Sequence, residues 1–90
     1  MNTLAYFLNF LPVNYEWKAL SLDFNDELIE EWTNQGFNLN QTKEWLLIGL
    51  QPTEAKLAHF LKAVKNLTPE EVLNFSNLDQ LKSEFAHYAN

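Results

Sequence analysis

Two histidines, a run of carboxylates and a group of lysines are the side chains of this sequence that could do chemistry. His59 and His87 are the only histidines, and neither has a His, Asp or Glu three or four residues further on, the spacing that a helical metal site needs. Both read as structural or surface residues, so no metal is expected. Asp23, Asp26, Glu27, Glu30 and Glu31 supply −5 of a formal net charge of −6. They contain no Asp-x-Asp-x-Asp-Gly loop for calcium, and carboxylates in a first helical turn are favoured by the helix dipole. Ser21, Ser76 and Ser83 fall in predicted caps or on a helix surface. There is no Gly-x-Ser-x-Gly elbow, no glycine-rich phosphate loop and no cysteine. The expectation is a chain that is not an enzyme and takes no cofactor.

The charges point to partners instead. All the basic residues are lysines, and an arginine-free acidic chain grips phosphates poorly, so nucleic acid is not expected. Lys56, Lys62 and Lys65 share one predicted helix in which Glu54 is the single acid. Set against the 23–31 acidic face, this basic 56–65 face suggests contact through opposite charges, with a protein partner or by self-association. An acidic inhibitor that imitates nucleic acid is an alternative, if the 23–31 carboxylates share one open face. The first residues are apolar on every side, with Leu4, Ala5, Tyr6, Phe7, Leu8, Phe10 and Leu11. The run lacks a basic flank and falls short of the ~20 residues a membrane span requires, so no membrane is expected. It reads as folded structure, with burial in the domain set against docking on a partner. Tyr6, Phe10, Tyr15, Trp17 and Tyr88 are the aromatics expected at the surface. Absence of cysteine fits a reducing compartment, hence a cytoplasmic protein.

These residues must be held by helices, whose ends are marked in the sequence. The chain has two glycines, in Trp32-Thr33-Asn34-Gln35-Gly36-Phe37 and Trp45-Leu46-Leu47-Ile48-Gly49-Leu50. A helix closing in a Schellman turn wants a left-handed residue followed by an apolar one that packs back onto the last turn. Gly36 with Phe37 on Trp32, and Gly49 with Leu50 on Trp45, both fit. Asn66-Leu67-Thr68-Pro69-Glu70-Glu71 repeats the plan: Asn66 takes the left-handed position, Thr68 caps, Pro69 begins the helix and Glu71 completes a capping box. Asp23 or Asn25, Asn38, Gln51, and Ser76 or Asn77 are the other candidate caps. The spacing predicts helices at about 4–10, 25–35, 39–48, 52–65, 69–75 and 78–88. Alternation of Val13, Tyr15 and Trp17 leaves residues 13–20 outside the expected helices, as extended or irregular chain, with a short helix as the alternative. Apolar stripes support the helices: Phe24, Leu28 and Trp32; Leu57, Leu61 and Val64; Leu78, Leu81, Phe85 and Tyr88. Tight turns between helices of ~15 Å force steep crossings, so the expected fold is all-α, a compact orthogonal bundle of five to six short helices forming a single domain over 1–90. Phe24, Trp32, Phe37, Trp45, Phe60, Phe75 and Phe85 are its expected core aromatics.

Two families have matching outlines. Residues 28–61 resemble a ubiquitin-associated domain, with Gly36-Phe37 as the turn after its first helix, Gln41 and Leu46 on the second, and Glu54, Ala58, Phe60 and Leu61 on the third; Trp45 stands where that family has a small residue. The resemblance implies ubiquitin or peptide binding through Gly36, Phe37 and Leu61. Six short helices in about 90 residues with opposed charges also resemble the death-fold adaptors, which implies oligomerisation through charged faces. The turn at 49–51 suits helix-turn-helix DNA binding, but the helix after it has too little positive charge around it. The overall expectation is a protein-interaction module, an adaptor or a regulatory subunit.

Overall fold

The computed structural model describes residues 15–89, and all regular structure among them is helical. The elements are α1 (Tyr15–Leu20), α2 (Asp26–Asn34), α3 (Leu39–Leu47), α4 (Ala55–His59) running directly into a π-helical segment (Phe60–Val64), α5 (Pro69–Phe75) and α6 (Leu78–Ala89). The chain is thus an all-α bundle. The helix expected at 4–10, and Tyr6 and Phe10 with it, lie outside the described residues.

Both glycine turns close as their sequences require. Gly36 has φ +92°, its N–H donates to the Thr33 carbonyl and the Phe37 N–H donates to that of Trp32. At Gly49, φ is +114°, with the corresponding bonds to Leu46 and Trp45. These are the paired bonds of a Schellman turn. The apolar followers go inward: Phe37 meets Trp32 edge to face with ring centroids 5.4 Å apart, and Leu50 is buried in the same core as Trp45.

Helix starts are equally local. The Asn25 side chain accepts from the Leu28 N–H at 2.8 Å, fixing the start of α2. Complete capping boxes open α3, between Asn38 and Gln41, and α5, between Thr68 and Glu71. Since the Thr68 hydroxyl satisfies an N–H that would otherwise lack a helical partner, Thr68→Ala should cost about 0.5–2 kcal/mol and Thr68→Ser much less. Urea unfolding followed by far-ultraviolet circular dichroism measures both.

Four expectations are corrected. First, residues 15–20 are helical. Trp17 and Leu20, three apart, turn towards the core, and the Trp17 ring meets Phe24 at 5.3 Å, whereas Tyr15 is exposed; the odd-numbered alternation therefore marks no buried face. Trp17 is accordingly half-buried rather than a surface aromatic. Second, the helix expected from 52 begins at Ala55. Residues 51–54 form a turn in which the Glu54 N–H donates to the Gln51 carbonyl, while the Glu54 carboxylate accepts from the Gln51 N–H. The carbonyl of Pro52 is thereby left for the Trp32 indole, whose Nε1–H donates to it at 2.8 Å.

Third, Asn66 has the expected positive φ, +57°, but it closes a wider turn. The Lys65 N–H donates five residues back to Phe60, and the Leu67 N–H six residues back to Leu61. This underwinding carries Val64 off the Leu57–Leu61 stripe and out to solvent. Fourth, Phe75 is 84% exposed instead of buried, because α5 ends on it and the next residue, Ser76, is extended.

Phe24, Trp32, Phe37, Trp45, Leu57, Phe60 and Leu61 form the centre of the core, with Val72 and Leu81 added from α5 and α6. Phe85 and Tyr88 lie against Phe60 with ring centroids 5.4 and 5.0 Å away, so Tyr88 covers the core while keeping an exposed side. Thr42 is fully buried, yet its hydroxyl is satisfied by donating to the Asn38 carbonyl at 2.8 Å.

Candidate functional site

The charged faces singled out from the sequence are neighbours within the molecule. Helix α2 packs on α4, and Lys56 Nζ reaches Glu31 Oε1 at 3.8 Å. Lys62 Nζ stands over the Phe37 ring, 5.3 Å from its centroid. Lys65 Nζ lies 3.1 Å from Glu84 Oε2 at an angle outside hydrogen-bond geometry, so the two meet as opposite charges. Each of the three lysines therefore has an internal contact. Such exposed pairs contribute little to stability, but they draw the lysines towards their own domain. Of the acidic group, Asp23, Asp26, Glu27 and Glu30 are exposed and Glu31 is half-buried.

The residues that a ubiquitin-associated surface would use are mostly interior. Phe37 is 2% exposed between Trp32 and Trp45, Leu61 is 0% exposed, and Gly36 alone of the three is at the surface. Gly36, Phe37, Gly49, Leu50, Asn66 and Thr68 all work as turn and cap residues. His59 and His87 are both exposed, and among the described residues no group of three His, Cys, Asp or Glu side chains could hold a metal ion. Nor is any described helix long and apolar enough to cross a membrane.

An apolar ridge not anticipated from the sequence stands on α3. Trp45 and Thr42 point to the core, and at 3.6 residues per turn Leu47 then falls on the far side of the helix, between Lys43 and Glu44. Leu47 is 74% exposed. On one side of it is a cavity of about 530 Å³ lined by Ala19, Leu20, Lys43 and Leu46. On the other is one of about 370 Å³, lined by Glu44, Ile48, Thr68, Pro69 and Glu70. Helix α1 thus forms one bank, the start of α5 the other, and Leu47 borders both hollows. The signal in the sequence was the run Leu46-Leu47-Ile48: a helix that already turns Trp45 inward cannot bury all three of its followers.

Phe75 marks a second exposed spot. Its cavity, about 330 Å³, is lined mainly by polar groups, among them Lys65, Ser76, Asn77, Gln80 and Glu84. It offers less apolar surface to a partner than the ridge does. Compared with known proteins, the chain matches no family model, no curated protein and no solved structure.

Proposed function

We propose that this chain is a non-enzymatic protein-interaction module whose contact surface is the Leu47 ridge. The observation that carries this reading is an exposed leucine flanked by two hollows whose walls include Ala19, Leu20, Leu46, Ile48 and Pro69, with Lys43, Glu44 and Glu70 at the edges. Contiguous exposed apolar surface rimmed by charge is the make-up of a binding patch, in which a central apolar anchor supplies most of the energy. The lysines of the 56–65 face are already engaged at home, which favours the ridge over the charged faces. A cysteine-free chain suits a reducing compartment, so the partner is proposed to be a cytoplasmic protein.

Burying a leucine is worth about 1.5–3 kcal/mol, so Leu47→Asp should weaken binding by about 10- to 100-fold or more. Because the side chain is exposed, the helical circular dichroism should stay unchanged. Cross-linking and affinity capture from the native cell, comparing wild type, Leu47→Asp and Glu27→Lys, tests the assignment. Partners should survive Glu27→Lys and vanish with Leu47→Asp. The opposite pattern would move the contact to the acidic face.

A further inference from the structure

We propose that the partner of the Leu47 ridge is a second copy of this chain, joined about a two-fold axis that lies in the interface and runs through Leu47. This rests on the ridge being a contact surface, and it adds what covers it.

The argument is one of symmetry. A two-fold axis lying in an interface places what is to one side of it on one copy opposite what is to the other side on its mate. On the α1 side of Leu47 the exposed charged group lining the hollow is Lys43; on the α5 side the groups are Glu44 and Glu70. Turned over on itself about Leu47, the surface brings Lys43 of each copy to the Glu44–Glu70 edge of the other, twice. Among the charged groups that line the two hollows, like does not meet like. The two Leu47 side chains meet at the axis, where each has a hollow on either side to enter. The surface is therefore complementary to itself in charge, as an isologous contact requires.

The net charge of −6 per chain opposes any association of copies at long range. At physiological ionic strength that repulsion is screened beyond about 8 Å, whereas contacts across the ridge are shorter than this. Of the acidic residues 23–31, Asp23 sits in the turn before α2 and the others on α2, all outside the lining of both hollows.

Sedimentation equilibrium of the full chain near 0.15 M salt, from about 1 to 500 μM, tests the proposal, a range chosen to span micromolar to millimolar affinity. Wild type should show a monomer–dimer equilibrium, and Leu47→Asp should remain monomeric with unchanged circular dichroism. Lys43→Glu alone, and Glu44→Lys with Glu70→Lys, should each weaken the dimer by about five- to thirty-fold, since both symmetric contacts become repulsive. Mixed in equal amounts, these two variants should pair with each other at about wild-type strength, because every contact is then again between opposite charges. A wild-type chain that stays monomeric throughout overturns the proposal, as does a mixture that associates no better than its components. Assemblies larger than a dimer overturn the two-fold arrangement. If wild type is monomeric while Leu47→Asp still abolishes capture of another protein, self-pairing falls and the ridge as a contact surface stands.

Discussion

Trp32→Ala is expected to remove about 3–5 kcal/mol of stability, a large share of the roughly 5–15 kcal/mol that holds a small domain folded. Trp32 is fully buried, sits at the last turn of α2 and touches Phe37, the residue that closes that turn. Truncation therefore opens a cavity at the junction where one helix stops and the next begins. It also removes the donor at 2.8 Å from the Pro52 carbonyl, in a turn 20 residues away in sequence. Trp32→Phe separates the two effects. It keeps most of the ring volume and leaves the Pro52 carbonyl, buried with its residue, without that donor, so a loss of about 1–3 kcal/mol should remain. Urea titrations followed by far-ultraviolet circular dichroism give both values without relying on the fluorophore being changed. A Trp32→Ala protein as stable as wild type would mean that the α2 and 51–54 segments are not held together by this side chain.

That bond also shows where the sequence stopped being informative. Short-range patterns were legible because their chemistry is complete within six residues: Trp-x-x-x-Gly-apolar specifies both ends of a turn, and Thr68-Pro69-Glu70-Glu71 specifies a cap. Segments whose conformation depends on a distant group were not. Gln51 and Pro52 have the composition of a helix start, but the helix begins at Ala55 and the Pro52 carbonyl serves Trp32 from another element. The π turn at Phe60–Val64 has no local sequence marker either, and the periodicity of an unbroken α-helix would put Val64 on the buried stripe, whereas it is exposed. The ridge was hidden for a related reason. Deciding that Leu47 faces outward requires knowing that Thr42 and Trp45 face inward, and a threonine is not an obvious core residue until its hydroxyl is seen bonded to the Asn38 carbonyl. The sequence presents Lys56, Lys62 and Lys65 as one open face because their partners Glu31, Phe37 and Glu84 lie on other segments.

Gly36→Ala and Gly49→Ala should each cost about 1–3 kcal/mol, and the double variant about 2–6, the effects adding if the two turns act separately. The reason is backbone strain more than crowding. A Cβ added at Gly36 would meet nothing within 4 Å, and at Gly49 it would rest 3.4 Å from Leu78 Cδ2, a distance that asks little of its neighbour. The φ values of +92° and +114° are nevertheless in a region that L residues rarely adopt. Asn66, at +57°, lies where L residues are better tolerated, so Asn66→Gly should change stability by about 0.5 kcal/mol or less. The sharpest comparison uses chemical ligation to place D-alanine at Gly36, since the mirror-image residue favours positive φ. It should match or exceed the glycine protein, gaining up to about 1 kcal/mol from a less flexible unfolded chain, while L-alanine at the same position loses stability. Equal losses from both enantiomers would show that something other than φ is being disturbed. Opposite signs would establish that the left-handed turns, and through them the packing of Phe37 on Trp32 and the burial of Leu50, set how these short helices cross.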